Sequence, residues 1–234
     1  METSLIKKAQ REPERTDGNK KTKRRVLLVD DHPIVREGLT EMINHEEDLQ
    51  VCGTAEEMNQ SLDQIEKIKP DMVVLDISLK GSNGIEVLKN IKVRYPKLLV
   101  LVLSMHDETL YALRALRAGA AGYIMKQEPA ERVLSAIRQV LNGEISLSAN
   151  MEKKMMKQLV GGRAARTGSP LEDLSDRELE VFRLIGKGYS TRQIAEELHL
   201  SIKTIESHRA HIKEKLNLKN AMELVQHAIQ WQEA

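Results

Sequence analysis

RRVLLVDDHPIVREGL, residues Arg24 to Leu39, runs four consecutive aliphatic residues into two adjacent carboxylates, Asp30 and Asp31. The aliphatic run reads as a buried strand. After it, Ile34, Val35, Leu39, Met42 and Ile43 form an apolar stripe at helical spacing. A strand that ends on acids and passes into an amphipathic helix opens a βα unit. Two neighbouring like charges repel, so the pair needs either a cation beside it or a local duty. Asp31 stands just ahead of Pro33, where capping a helix would be such a duty.

The same alternation continues from Arg25 to Gly143. LQVCGTA, MVVLD, LLVLVLS and GYIMK read as further strands. Leu110, Leu113 and Leu116 make one intervening helical stripe. Val133, Leu134, Ile137, Val140 and Leu141 make another, with Pro129 near its start and Gly143 just past its end. Strands that are nearly all apolar are covered on both faces. The fold class is therefore α/β: a doubly wound, five-stranded parallel sheet, followed by an all-α second domain. Aromatic residues make up 3% of the chain, so aliphatic side chains carry the core.

Four segments follow. Residues 1–24 read as a disordered tail that ends basic, 25–144 as the α/β domain, 145–173 as a linker and 174–234 as the helical domain. The linker holds a short helix over Glu152–Val160, whose Met151, Met155 and Met156 suggest a small packing patch, and then the flexible GGRAARTGSP. The 234 residues carry a formal net charge of +1, contain no apolar run long enough to cross a membrane and open without a signal-peptide core. The single cysteine, Cys52, permits no internal disulfide and is expected buried. Cytoplasmic localisation without membrane contact is the expectation.

Ligands of an open parallel sheet gather outside the carboxyl ends of its strands. Here those ends are Asp30 and Asp31, Asp76, Ser104 and Lys126. Three carboxylates at one edge call for a hard cation such as Mg²⁺, or for raised pKa values. Lys126 and Ser104 would hold anionic oxygens, and Asp76 is the best nucleophile for phosphoryl transfer. Each residue alone has a plainer role as a cap or a solvated group; it is their coincidence that points to chemistry. No glycine-rich phosphate loop or dinucleotide fingerprint accompanies them.

VLLVDDHPIVREGL, VVLDISLKGSNGIEVL, VLSMHDE and GAAGYIMK together resemble the receiver domain of bacterial two-component response regulators. The resemblance implies that Asp76 accepts a phosphoryl group from a sensor histidine kinase. Asp30 and Asp31 would hold Mg²⁺ with Asp76 and a backbone carbonyl at Ile77 or Ser78. Ser104 and Lys126 would contact the phosphoryl group, and Tyr123 would be the switch aromatic. The loop after Asp76 departs from the family's MPxMDG pattern, although Gly84 is retained.

The helical half is heavily punctuated. Ser175 with Glu178 and Ser190 with Gln193 form capping boxes, and Ser201 is a third cap. TRQIAEELH, a tight turn and a longer helix make a helix-turn-helix, with the small Ala195 where the two helices cross. The longer helix has an inner face of Ile202, Ile205, Ile212 and Leu216. Its opposite face carries Lys203, Glu206, Ser207, Ala210 and Lys213. Lys203, Arg209, Lys213 and Lys215 are candidates for DNA phosphates. Balanced charge leaves a solvated helix open as the plainer reading.

This half resembles the LuxR-type domain of the NarL/FixJ class. The resemblance implies binding to double-stranded DNA as a homodimer when active, with the fourth helix supporting dimerisation. Glu206, Ser207 and Ala210 would face bases, while Lys203, Thr204 and Lys215 would contact the backbone. His208 is expected to pack. The expected function is a phosphorylation-switched transcription regulator whose only catalysis is on its own phosphoryl group. One rival is a phospho-switched protein-interaction module without DNA binding. The other is a phosphoester hydrolase, which leaves the helical half without a role.

Overall fold

The computed structural model describes residues 22–79, 84–160 and 170–233. The readings of a tail at 1–21, of the loop at 80–83 and of the glycine-rich linker at 161–169 lie outside them.

Five strands form one parallel sheet: β1 (Arg24–Val29), β2 (Leu49–Ala55), β3 (Met72–Leu75), β4 (Leu99–Ser104) and β5 (Gly122–Met125), in the order β2-β1-β3-β4-β5. Between and after them run α1 (Pro33–Asn44), α2 (Met58–Ile68), α3 (Gly84–Arg94), α4 (Glu108–Arg117) and α5 (Ala130–Leu141). Strand alternation splits the core in two. Val26, Leu28, Met72, Val74, Leu101 and Leu103 pack with Ile43 of α1 and Ile137 of α5. Leu27, Val29, Val73, Leu75, Val100 and Val102 face α2, α3 and α4. Both faces are covered, as the aliphatic strands require.

Ile34 departs from its expected stripe and is 84% exposed. It lies about 100° around the helix from Val35, while Leu39, Met42 and Ile43 cluster near Val35. Cys52, on the edge strand β2, is half-buried rather than buried, and its thiol donates to the Val26 carbonyl at 3.4 Å. Gly84 answers to a close approach: a Cβ there would lie 2.1 Å from Ile77 Cα. Any side chain would push the backbone next to Asp76.

Helix α6 (Ala149–Val160) begins three residues earlier than expected, because the Ser148 hydroxyl accepts from the Met151 amide at 3.1 Å. Met151 is buried and Met155 partly so, but Met156 is exposed and outside the patch.

A short 3₁₀ turn at Pro170–Asp173 leads into α7 (Asp176–Gly186), α8 (Thr191–Glu197), α9 (Ile202–Lys215) and α10 (Ala221–Glu233). Both expected capping boxes are formed, and Ser201 caps α9 through the Thr204 amide. Phe182, Ile185, Ile194, Ala195, Ile205 and Ile212 are core residues of this half. Ile202 is 49% exposed. It occupies the first helical position, about 60° off the line of Ile205 and Ile212, so the inner face starts at Ile205.

The two halves touch through charged pairs. Asp176, at the start of α7, meets Lys89 at 2.7 Å and Arg114 at 3.1 Å. Arg114 also donates to the Leu171 carbonyl at 2.9 Å, and Lys154 meets Glu172 at 3.0 Å.

Candidate functional site

Three backbone hydrogen bonds carry the sheet register one residue past the strands. Asp30 N donates to Ala55 O at 3.0 Å, Asp76 N to Val29 O at 2.8 Å, and Lys126 N to Ser104 O at 2.8 Å. The side chains that follow therefore converge at the carboxyl edge. Lys126 Nζ bridges Asp30 Oδ2 at 2.6 Å and Asp76 Oδ2 at 2.7 Å. Asp76 Oδ1 accepts from the Ser78 amide at 2.8 Å. Asp76 is 1% exposed, and Ser104 is also buried.

Burial raises the Asp76 pKa above the usual carboxylate value, against the pull of Lys126, and Asp30 adds to the rise. Burial acts to lower the Lys126 pKa, but its hydrogen bonds to Asp30 and Asp76 outweigh this and leave it raised. One ammonium thus serves two carboxylates. Donor atoms of Asp30, Asp31, His32 and Asp76 lie within 4.8 Å of one another, close enough for one divalent cation to reach them all. Of the two backbone carbonyls that the resemblance offers, Ile77 O accepts from Gly84 N at 3.3 Å.

Tyr123 is buried, and its hydroxyl donates to the His106 carbonyl at 2.7 Å. Ser104 Oγ accepts from the His106 amide at 3.0 Å. His106 Nε2 lies 3.1 Å from Ser78 Oγ and 3.3 Å from Arg183 Nη1. A guanidinium only donates, so Nε2 accepts and the imidazole is neutral. Burial, with the nearby cations Arg183, Lys187 and Lys126, pushes its pKa down to about 3. A cleft of about 790 Å³ between the halves has Asp76 and Ser78 on one wall and Arg183 and Lys187 on the other.

Sequence reasoning missed His32, His106 and Arg183. His32 stands three residues past the end of β1 and His106 two past the end of β4, each inside a motif that carries the receiver resemblance. Nothing local marks Arg183, which reaches the site only by tertiary packing.

On α9, Lys203, Glu206, Ser207, Ala210 and Lys215 are exposed, while Thr204, Arg209 and Lys213 are half-buried. Thr204 serves the cap, its hydroxyl 2.8 Å from that of Ser201. Ser207 Oγ donates back to the Lys203 carbonyl at 3.1 Å. Lys215 Nζ meets Glu178 Oε2 at 2.7 Å, so its charge is already engaged. His208 is half-buried, and burial lowers its pKa.

The family model for the response regulator receiver domain matches residues 26–138, and that for bacterial regulatory proteins of the luxR family matches 172–228. The oxygen regulatory protein NreC of Staphylococcus carnosus (strain TM300) is 36% identical over 209 residues, covering 88% of this chain and 96% of NreC. Among solved structures, RcsB from Salmonella enterica serovar Typhimurium, bound to promoter rprA in the presence of phosphomimetic BeF3-, superposes with a TM-score of 0.64. It is 26% identical over 88% of this chain and 98% of RcsB. A LuxR-family two-component response regulator from Aurantimonas sp. SI85-9A1 gives a TM-score of 0.56 at 32% identity, over 59% of this chain and 99% of its own.

A doubly wound receiver with an acidic strand-end cluster, joined to a four-helix LuxR-type domain, defines a class of phosphorylatable, DNA-binding regulators. This chain belongs to the two-component response regulators of the NarL/FixJ class. The architecture is that of self-directed phosphoryl chemistry rather than catalysis on an outside substrate. Among the described residues, no helix is long and apolar enough to cross a membrane.

Proposed function

We propose that this chain works in the cytoplasm, that Asp76 accepts a phosphoryl group from a sensor histidine kinase, and that phosphorylation controls binding of α9 to double-stranded DNA as a homodimer. The observation that carries the receiver half is the Asp30–Lys126–Asp76 bridge, with both contacts at 2.7 Å or less. It leaves Asp76 a buried carboxylate at a strand end, with a raised pKa and a lysine shared with Asp30. An Asp76 oxygen attacks the phosphorus of a phosphohistidine; the P–N bond breaks and the kinase's imidazole leaves with its electron pair. An acyl phosphate results. Lys126 holds a phosphoryl oxygen, the Ser104 hydroxyl donates to another, and the Ser78 amide steadies the acceptor. Asp30, Asp31, Asp76 and the Ser78 carbonyl would hold Mg²⁺, which would supply charge neutralisation there. Tyr123 and His106 pass the rearrangement on to the cleft.

On α9, Glu206, Ser207 and Ala210 meet base edges. Lys203, Thr204, Arg209, Lys213 and Lys215 lie toward the backbone. The exposure of the first set supports this assignment. A carboxylate at Glu206 accepts from cytosine N4 rather than pairing with guanine.

Incubation with Mg²⁺ and acetyl phosphate is expected to add one acid-stable, base-labile phosphate per chain, and Asp76→Asn to add none. Equal labelling of that variant sinks the acceptor assignment. Selection from a randomised DNA pool is expected to enrich one two-fold symmetric site for the phosphorylated chain. No enrichment at low salt transfers the output to a protein partner.

A further inference from the structure

His32 sits at the N-cap of α1, yet its side chain makes no capping hydrogen bond. Its backbone amide donates to Asp30 Oδ1 at 2.9 Å, and this local turn aims the ring at the acids. Nδ1 lies 2.8 Å from Asp31 Oδ1, 3.2 Å from Asp30 Oδ1 and 4.0 Å from Asp76 Oδ2. Lys126 approaches the cluster through Oδ2 of Asp30 and Oδ2 of Asp76, so it and the imidazole address Asp30 through different oxygens. The His32 side chain is 56% exposed, so it stands at the solvent entrance and turns at little cost. Donor atoms all within 4.8 Å of one another leave room for one ion among them, with a contraction of a few tenths of an ångström bringing them to the roughly 2.0–2.1 Å that a small divalent ion takes.

Donor chemistry then separates the cations. Mg²⁺ prefers an all-oxygen octahedron and keeps its waters. Imidazole nitrogen is a poor ligand for Mg²⁺ and a better one for the first-row transition ions, of which Mn²⁺ is the weakest binder and the nearest to Mg²⁺ in its taste for oxygen. We propose that His32 is a direct ligand of the receiver's divalent cation, giving an Asp–Asp–Asp–His set that prefers Mn²⁺ to Mg²⁺. The oxygens alone still accept Mg²⁺; the nitrogen adds the preference. This inference rests on the reading of Asp30, Asp31 and Asp76 as a cation site.

The test uses the full-length chain and Mn²⁺ alone. Electron paramagnetic resonance of free Mn²⁺ gives the affinity, displacement by Mg²⁺ gives the preference, and pulsed measurements on bound Mn²⁺ detect a coordinated imidazole nitrogen. The wild-type chain is expected to show the nitrogen modulation. His32→Gln is expected to lose it, to weaken Mn²⁺ by about tenfold and to reduce the Mn²⁺-over-Mg²⁺ ratio by a similar factor. Bound Mn²⁺ without nitrogen modulation in the wild-type chain overturns the inference and leaves the cation site standing. If the wild-type chain binds no Mn²⁺ and no Mg²⁺, the cation site falls and the inference with it. The wild-type nitrogen signal decides the matter even if His32→Gln folds poorly.

Discussion

Two buried carboxylates in this molecule each meet a lysine at 2.7 Å, and they end in opposite electrostatic states. Asp76, beside Lys126, has its pKa raised, first by burial. Glu178, beside Lys215, is also desolvated, which pulls its pKa up, yet the value is lowered overall. The difference lies first in the depth of burial, which outweighs the pull of Lys126 at Asp76, and then in the other neighbours. Glu178 sits in the first turn of a helix, accepts from the Ser175 amide at 2.7 Å and has a cation to itself. Asp76 shares its lysine with Asp30 and receives one backbone amide. Each carboxylate has one lysine and one backbone amide, but Asp76 lies deeper and competes with a second acid for its cation. The same ion-pair distance therefore says little until burial and the neighbouring charges are weighed.

The largest expected effect is a difference of sign. Without divalent cations, Glu178→Gln is expected to destabilise the helical half by about 2 kcal/mol, combining a weakened cap with a poorer partner for Lys215. Asp76→Asn is expected to stabilise the receiver by about 1 kcal/mol, because it removes one of two carboxylates competing for Lys126. Calorimetric unfolding of the full chain measures both. A loss of similar size from each substitution breaks the comparison and makes Asp76 an ordinary salt-bridge partner.

Added Mg²⁺ sharpens the same contrast. At ten times its dissociation constant it contributes about 1.4 kcal/mol to the state that binds it. The wild-type receiver is expected to gain that amount. Asp31→Asn is expected to lose most of the gain, and the helical half to show none. An unchanged gain in Asp31→Asn reduces the Asp30–Asp31 pair to a turn-forming role.

Much of this was legible in the chain because the signals are local. Aliphatic runs ending on Asp30, Asp76, Ser104 and Lys126 mark strand ends, and parallel topology brings strand ends together. Ser175, Ser190 and Ser201 mark helix starts because a cap is decided within four residues. The misses are of another kind. Ile34 and Ile202 satisfy a helical pattern but sit in first turns, where periodicity overstates burial. Lys215 looked like a free cation, because its partner Glu178 lies 37 residues away in the chain. The approach of Arg183 to His106 spans 77 residues and two domains, and no window along the sequence contains it.

The pH dependence should also run in opposite directions. Asp76 has a raised folded pKa, so the folded receiver holds its proton longer than the unfolded chain does. Metal-free receiver stability is then expected to fall as pH rises from about 4 through the Asp76 value. Glu178 has a lowered folded pKa. Its contribution is present above the unfolded glutamate value near 4.3 and is lost as pH falls through the folded one. Denaturant titrations across pH 3–7, with Asp76→Asn and Glu178→Gln as references, separate the two slopes. A Glu178→Gln chain that keeps the full acid-side loss places the titrating group elsewhere.

The smallest effect concerns DNA. A lysine that neutralises one phosphate contributes about 0.9 to the slope of log affinity against log salt. Lys203 is exposed at the start of α9, and Lys203→Ala is expected to flatten the slope by about that amount. Lys215 is also exposed, but its ammonium is held by Glu178. To meet a phosphate it must leave or share that carboxylate, so Lys215→Ala is expected to flatten the slope by clearly less. Glu178→Gln removes the competing charge and is expected to steepen the slope toward one further phosphate contact, while the preferred sequence stays the same. Binding of the full-length wild type and the three variants to one selected DNA site, across a salt series, reads all of this. If Lys215→Ala flattens the slope as much as Lys203→Ala and Glu178→Gln leaves it unchanged, then Lys215 abandons Glu178 on binding. The helical half would then hold its buried carboxylate as provisionally as the receiver holds Asp76.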